Sequence, residues 1–256
     1  MLEDDFTHVL RKALAGHGLT PGEAAARAGV PEEEVLAFLR GAFRAETARK
    51  IAPVLGLNAR AFAAHDVYQP KPPELAEITR LDLPFGKEQV NAWLLCAGGE
   101  TILFDAGCEA RDLERRLERN PDRVFITHAH RDHTAAVDHF LRGGIPVHAA
   151  GIPGTIPTLP GAAVFSGPLR IRACDLAGHA VPALGFHIEG LRAPVLVTGD
   201  ALFAGSIGGC ASPALYQEAL RKLRAALAAL PDETLLLPGH GPATTLGGER
   251  AANPFL

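Results

Sequence analysis

A short segment near the middle of the chain is rich in side chains that bind metal ions. Three histidines and an aspartate stand within six residues, at His128, His130, Asp132 and His133. Alternate residues of an extended segment point the same way, so His128 and His130 can share one ion. Asp132 and His133 follow where the chain turns toward a helix, which lets them reach a second ion nearby. A solvated histidine-rich loop is the alternative, but clustered His and Asp at this spacing normally bind metal.

Three more residues of ligand type stand next to glycine at predicted strand ends. They are His179 in AGH, Asp200 in TGD and His240 in PGHG. A neighbouring glycine allows the backbone to approach an ion closely, and a carboxylate such as Asp200 can bridge two cations. These residues complete a predicted two-ion site. The other histidines are predicted to be structural or surface residues, namely His8, His17, His65, His139, His148 and His187.

The composition restricts the class of protein. With 256 residues, 47% of them apolar, the chain predicts a packed globular protein. No apolar run approaches the roughly 18 residues of a membrane span, and the acidic start, MLEDD, does not resemble a secretory signal. A cytoplasmic protein without a membrane partner is therefore expected. The four cysteines form no CxxC pair and are expected to be free thiols. The net charge of −4 argues against general nucleic-acid binding.

The chain divides near residue 70. Residues 1–68 show helical periodicity, with a capping box in TPGE at 20–23 and a bend expected at Pro53. Residues 69–76 begin with QPKPP and predict a semi-rigid linker. Residues 77–256 alternate β-rich runs with turns and helices, which predicts sheets covered by helices. The predicted strands are 90–96, 101–105, 123–127, 183–189, 194–198 and 234–237, and the predicted helices are 109–118 and a segment that begins at 212–213.

The motifs of this second part stand in a recognisable order. The HxHxDH cluster is followed by the GH, GD and GH positions, and this pattern resembles the metallo-β-lactamase superfamily. TGDALFAGSIG (198–208), PGHGPATTLGGERAANPFL (238–256) and NAWLLC with TILFDAG (91–96 and 101–107) are similar to its compact bacterial type II glyoxalase-like branch. The resemblance covers residues ~75 to 256. It implies an α+β fold, in which an αββα sandwich carries the metals at one edge of its sheets, after a small all-α domain.

The resemblance also implies a role for each residue of the predicted site. Asp105 would support the metal-bearing loops, and the two divalent ions would be zinc, with iron or manganese as alternatives. A bridging Asp200 argues against a true β-lactamase, because the resemblance to those enzymes predicts cysteine or serine around the second ion. The first ion would be held by His128, His130 and His179, the second by Asp132, His133 and His240, and Asp200 would bridge them.

One position departs from the glyoxalase pattern. Relatives of glyoxalase II usually carry Arg or Lys shortly after the GD strand, where it contacts the glutathione part of the substrate. This chain reads IGGC there, with glycine at position 209. We therefore expect no strong preference for glutathione thioesters over other small thioesters, and we expect Cys210 to be an inert thiol. Because the sequence ends at Leu256, the extra helical domain of the larger glyoxalases is not expected.

Residues ~4–65 carry a second resemblance. The segment LTPGEAAARAGVPEEEVLAFLRG (19–41) resembles a lambda-repressor-like helix-turn-helix, with 31–40 as the recognition helix. Its exposed first turn is Glu32-Glu33-Glu34, which would meet DNA with like charge. Residues 1–68 hold eight basic and nine acidic groups, so there is no basic footprint. A module for packing or homodimerisation is expected here rather than for DNA binding.

The predicted site favours hydrolysis of a small molecule. Two cations that share one water can lower its pKa from about 15.7 to roughly 7, which gives a metal-bridging hydroxide at neutral pH. That hydroxide would attack a polarised carbonyl, and Asp132 would orient it. By resemblance, the substrate is a thioester or a related small ester. Two alternatives stay open: a persulfide dioxygenase with one iron at His128, His179 and Asp200, and a ligand-sensing DNA-binding regulator.

Overall fold

The N-terminal part of the chain is a group of short helices that begin and end at local sequence signals. The computed structural model describes all 256 residues. Thr20 and Glu23 form the predicted capping box, and the helix that Pro53 was expected to bend changes to a 3-10 turn after Ile51. The helices are α1 (Phe6–His17), α2 (Pro21–Ala28), α3 (Glu32–Leu39), α4 (Ala45–Ile51) and α5 (Ala59–Ala63), with 3-10 turns at Ala52–Leu55 and His65–Val67.

A six-stranded sheet forms the first layer of the second part. Its strands lie side by side in chain order, antiparallel from the first to the third and parallel from the third to the sixth. They are β1 (Ile78–Phe85), β2 (Glu88–Ala97), β3 (Glu100–Phe104), β4 (Arg123–Phe125), β5 (Val147–Ala149) and β6 (Ile156–Pro157).

The second six-stranded sheet runs through the strands in reverse chain order. Neighbouring strands in this sheet are antiparallel, with one exception. The strands Val195–Gly199 and Leu235–Pro238 run parallel to each other. The strands are β7 (Ala163–Ser166), β8 (Leu169–Asp175), β9 (Leu184–Glu189), β10 (Val195–Gly199), β11 (Leu235–Pro238) and β12 (Thr244–Thr245).

Five further helices accompany the sheets. Ser212 begins the longest of them by accepting a hydrogen bond from the backbone N–H of Leu215, with proline at the next position. None of the helices combines the length and the apolar character needed to cross a membrane. The five are α6 (Ala110–Glu114), α7 (Arg131–Thr134), α8 (Val137–Arg142), α9 (Pro213–Leu227) and α10 (Leu246–Ala252).

Apolar clusters define the layers of the sandwich. Phe104 and Phe125 of the first sheet meet Phe186 of the second, so the inner faces bury an aromatic core between them. The outer face of the first sheet packs on α6 and α8, and the outer face of the second packs on α9. The predicted α+β fold, an αββα sandwich after a helical N-terminal part, is confirmed.

The N-terminal helices and the outer layer around α9 share one hydrophobic core. A single cluster of 29 buried residues contains Leu10 of α1 together with Leu220 of α9 and Leu196 of β10. A Cβ atom at Gly16 would lie 2.4 Å from the ring of Tyr216, so α1 lies directly against α9. The N-terminal helices therefore pack directly on the sandwich through α9.

Some elements were missed by the sequence analysis. The strands β1, β6, β7, β8 and β12 lie outside all predicted runs, and the helix predicted at 109–118 is only Ala110–Glu114. In β8 the side chains alternate between buried and exposed, with Arg170 and Arg172 on the outward side. This alternation interrupts the apolar run on which the strand predictions relied.

Candidate metal centre

Strand ends at one edge of the two sheets carry most of the predicted ligands. His128 follows β4, and His179 follows β8. Asp200 and His240 follow the parallel neighbours β10 and β11. The carboxyl ends of parallel strands meet at the same edge, where open sheets place their functional residues. The topology therefore brings together residues that lie more than a hundred positions apart in the sequence.

The single-turn helix α7 presents the remaining three residues. His130 stands at its N-cap, and Asp132 and His133 lie within the turn. Asp132 is 7% exposed and His133 is fully buried. Buried charged groups are stable only where a partner compensates them, so this turn must face oppositely charged or metal-binding neighbours.

The first group of converging ligand atoms contains four residues, His128, His130, His179 and Asp200. His130 Nδ1 lies 3.1 Å from Nε2 of His128 and 3.1 Å from Nε2 of His179. Asp200 Oδ2 lies 3.8 Å and 3.4 Å from the same two nitrogens. These atoms form a cage around one point.

The second group contains Asp132, His133 and His240. Asp132 Oδ2 lies 3.2 Å from His240 Nε2 and 3.5 Å from His133 Nε2. Asp200 reaches this group as well, because its Oδ1 is 3.4 Å from His133 Nε2 and its Oδ2 is 3.6 Å from His240 Nε2. The Asp200 carboxylate therefore lies between both groups.

The spacing of these atoms fits metal coordination. Nitrogen and oxygen ligands lie about 2.0–2.1 Å from a tetrahedral zinc ion, so they lie roughly 3.3 Å from one another. The separations here are between 3.1 and 3.8 Å. His133 Nε2 and Asp200 Oδ1 are buried and have no hydrogen-bond partner. Because buried polar atoms are nearly always paired, a metal ion is the natural partner for both.

Hydrogen bonds on the far side of the imidazoles fix their orientation. His133 Nδ1 donates to Asp105 Oδ2 over 2.8 Å. His179 Nδ1 donates to the carbonyl of Gly209 over 2.7 Å, and His240 Nδ1 donates to that of Gln89 over 2.8 Å. In each ring the Nδ1–H is occupied, so Nε2 is the nitrogen that faces the group and that would bind an ion after losing its proton.

The positions next to two of the predicted ligands have no room for a side chain, so they must be glycine. A Cβ atom at position 239 would lie 2.2 Å from Asp200 Oδ1 and 2.7 Å from His133 Cε1. A Cβ atom at position 178 would lie 2.2 Å from Cβ of Ala219 in α9. The glycines before His240 and His179 therefore allow close approach of the backbone to Asp200 and to α9.

The charges of the site are strongly coupled. Burial, with the nearby His133, lowers the pKa of His128 to about 4. Burial opposes charge on Asp200, but the surrounding histidines hold the pKa of its carboxyl group well below its usual range. Burial also opposes charge on His240, but Asp132 and Asp200 raise its pKa to about 9. A metal ion would therefore have to displace the proton that His240 holds.

A cavity of about 540 Å³ opens onto both groups. Besides the predicted ligands, the sandwich lines it with Phe85, Glu88, Arg131, Phe203 and Gly209, and the N-terminal part lines it with Glu3, Asp4 and Lys12. Glu3, Asp4 and Lys12 were not predicted as site residues. No motif marks them, and Lys12 stands 195 positions from the carbonyl that it contacts.

The other histidines lie outside both groups. His65 Nε2 donates to the carbonyl of Gly205 over 3.0 Å, and His17 Nε2 donates to that of Leu55 over 2.9 Å. His148 stacks on Phe125. The Sγ atom of Cys210 lies 3.8 Å from the carbonyl oxygen of Gly208.

Comparison with known sequences places this site in a family context. Residues 85–172 match the Metallo-beta-lactamase superfamily. The probable metallo-hydrolase YqgX of Bacillus subtilis is 28% identical over 203 residues, which cover 68% of this chain and 95% of that protein. The hydroxyacylglutathione hydrolase GloC of Haemophilus influenzae is 31% identical over 184 residues, which cover 60% of this chain and 86% of that protein.

Solved structures show the same architecture. The BLEG-1 B3 metallo-beta-lactamase superposes with a TM-score of 0.59 at 27% identity, over 70% of this chain and 99% of that one. TTHA1623, solved in a di-iron-bound form, superposes with a TM-score of 0.54 at 28% identity, over 68% of this chain and 99% of that one.

Proposed function

This chain belongs to the metallo-β-lactamase superfamily, and on that premise we propose that it is a dinuclear metal-dependent hydrolase of thioesters or related small esters. The observation that carries the proposal is the position of Asp200. Its two oxygens lie within 3.4 to 3.8 Å of ligand nitrogens from both groups. A single carboxylate in that position suits two ions better than one.

We propose the ligand assignment that follows from this geometry. His128, His130 and His179 hold the first ion, and Asp132, His133 and His240 hold the second, with Asp200 shared between them. TTHA1623, a relative at 28% identity, was solved in a di-iron-bound form, which supports the proposal of two ions. The donor set of imidazole nitrogens and carboxylate oxygens suits zinc, and it also suits iron or manganese.

The lining of the cavity favours direct attack by water. A pair of divalent ions supplies an activated water near neutral pH and stabilises negative charge on the carbonyl oxygen. No serine, threonine or cysteine lines the cavity, so the chain offers no hydroxyl or thiol nucleophile there. Asp132 lines it, and although burial opposes its charge, His240 and His133 keep its pKa low. Asp132 therefore stays ionised and orients the water by accepting its hydrogen bond.

The substrate class rests on the relatives. GloC, at 31% identity, is named a hydroxyacylglutathione hydrolase, which is a thioester hydrolase. Because the chain superposes on a B3 metallo-beta-lactamase, β-lactams are the alternative substrates with which thioesters must be compared.

The decisive experiment combines metal analysis with a substrate panel. Elemental analysis of the purified protein is expected to give two divalent ions per chain. Hydrolysis of a series of small thioesters is expected to exceed hydrolysis of a chromogenic β-lactam by a large factor. Oxygen uptake with a persulfide substrate and one iron per chain would instead indicate a dioxygenase.

A matched pair of variants tests the role of Asp200. Asp200→Ala is expected to lose at least one ion and most activity, because two cations would then lack their shared negative charge. Asp138→Ala, which removes an exposed carboxylate from α8, is the control and should keep both. Two ions and near-normal turnover in Asp200→Ala would overturn the proposal.

A further inference from the structure

We propose that Lys12, on the N-terminal helix α1, binds an anionic group of the substrate, of the carboxylate class, in the cavity beside the metal centre. This inference rests on the proposed hydrolase function and names a specificity residue for it. It also gives the N-terminal helices a role in catalysis, since they would complete the substrate site.

Lys12 is held at the cavity by contacts with the loop that follows Asp200. Its ammonium group donates to the carbonyl of Ile207 over 2.8 Å. Its Cε atom would lie 3.9 Å from a Cβ atom at Gly209, whose carbonyl accepts from His179. The lysine therefore fills the space beside the glycine where the sequence analysis expected no cation.

The aromatic wall connects this lysine with the metal centre. Lys12 Nζ lies 5.2 Å from the ring centroid of Phe203. The same ring lies 6.0 Å from the ring of His240. The Phe203 ring thus lies between the Lys12 ammonium and the predicted metal ligand His240. A small substrate can span this distance.

The ammonium has unused hydrogen-bonding capacity. A lysine ammonium carries three N–H donors, and the structure gives Lys12 two partners, the Asp4 carboxylate and the Ile207 carbonyl. Its side chain is 19% exposed and lines the cavity. One donor therefore remains for a ligand, and a carboxylate would satisfy it with a charge-assisted bond.

Two carboxylates of the cavity repel an anion from the edge opposite Lys12, and the second cation of the lining, Arg131, lies on α7 beside Asp132. Glu3 lies at the His240 edge, where its backbone nitrogen would be 3.0 Å from a Cβ atom at Gly241. Glu88 precedes Gln89, whose carbonyl accepts from His240. Both carboxylates repel an anion from that edge, while Lys12 attracts it at the loop behind His179.

Asp4 limits the attraction. It is 5% exposed and pairs with Lys12, so part of the positive charge is already neutralised. A purely structural role for the pair would fasten α1 to the sandwich and would not distinguish substrates by charge. An anion-binding role predicts that Lys12 and Asp4 have opposite effects on that distinction.

The test compares two thioesters that differ only in charge. S-acetyl-3-mercaptopropionate carries a carboxylate, and S-acetyl-3-mercaptopropanamide carries a neutral amide of the same shape. We expect the purified enzyme to have a higher kcat/KM for the carboxylate. Lys12→Met keeps the apolar stem and is expected to lower that preference roughly tenfold, chiefly through KM. Lys12→Arg should largely restore it.

Two further variants complete the design. Asp4→Asn keeps a hydrogen-bond acceptor for Lys12 but removes the competing charge, so it should increase the preference for the carboxylate. Lys222→Met is the matched control. Lys222 is also 19% exposed and ion-paired, but it contacts Asp175 and Glu218 and does not line the cavity. This variant should leave the preference unchanged.

The outcomes separate the inference from the function. Equal losses for both thioesters in Lys12→Met, or an unchanged preference in Asp4→Asn, would overturn the anion site while leaving the hydrolase intact. If neither thioester is hydrolysed, the proposed function fails and calorimetry decides about Lys12. In that case 3-(ethylthio)propionate should bind the wild type more tightly than its amide does. The two compounds should bind Lys12→Met equally well. Equal binding to the wild type would refute the inference.

Discussion

Asp105 shows how one residue can fix both the backbone and a ligand. It is 1% exposed, and its φ of 62° lies in the left-handed region that few residues other than glycine adopt. Its Oδ1 accepts from the backbone N–H of Thr127 over 2.8 Å, and its Oδ2 accepts from His133 Nδ1 over 2.8 Å. Asp105 therefore links the start of the ligand loop to a fully buried imidazole.

Replacing Asp105 by asparagine tests this link. Asn tolerates the left-handed conformation and can still accept from Thr127, but its NH2 group would face the Nδ1–H of His133. Two donors opposite each other would turn the imidazole or change its tautomer. Metal affinity is expected to fall about 10–100-fold, as measured by competition with a chelator. The exposed Asp138→Asn is the control, and unchanged affinity in Asp105→Asn would contradict the prediction.

At the scale of elements, the end of β11 brings its backbone against Asp200. Only hydrogen occupies the side-chain position of Gly239, and this lets the strand end pass beside both Asp200 and His133. The site therefore depends on the ligands and also on how closely the ends of the parallel strands β10 and β11 approach each other.

A methyl group at position 239 is expected to disrupt the site. The Cβ atom of Gly239→Ala would lie 2.2 Å from Asp200 Oδ1, so the carboxylate must move away from both groups. Elemental analysis should show fewer ions per chain, while circular dichroism retains the secondary structure. Gly143→Ala is the control, because its Cβ atom would meet nothing closer than 3.4 Å. A normal content of two ions in Gly239→Ala would show this reasoning to be wrong.

Elements with strong local signals could be predicted from the sequence, and edge elements could not. The buried strands β2, β3, β9, β10 and β11 were predicted because they are nearly continuous apolar runs. The missed strands β6 and β12 have only two residues each, too short for any period to appear. The ligand cluster in 128–133 could be predicted because its members lie within six residues of one another in the sequence.

Helix α3 gives a reason to expect no specific DNA binding. Its first turn carries Glu32, Glu33 and Glu34, close to the positive end of the helix dipole. Carboxylates in this place stabilise the helix but repel phosphates. Fluorescence anisotropy with genomic fragments at low salt should show no sequence-selective binding. Tight binding that only one competitor sequence abolishes would refute this prediction.

The scale of the whole molecule explains what the sequence analysis could not predict. A proline-rich segment at 69–73 suggested two bodies joined by a linker. The structure has one cluster of buried residues that runs from α1 into the sandwich. The contact of Lys12 with Ile207 depends on that packing. Contacts of such long range leave no periodic pattern or spacing in the sequence, so only the fold reveals them.

If the helices and the sandwich share one core, the chain should unfold as one unit. Gly16→Ala tests this, because its Cβ atom would lie 2.4 Å from the buried ring of Tyr216 and must force α1 and α9 apart. Overpacking of this kind costs about 1–3 kcal/mol, and each kcal/mol lowers Tm by roughly 2–4 °C in a chain of this size. Calorimetry should show a single transition shifted to lower temperature, whereas Gly143→Ala should melt near the wild type. Two transitions in Gly16→Ala, with the upper one unchanged, would mean that the sandwich is stable without its N-terminal helices.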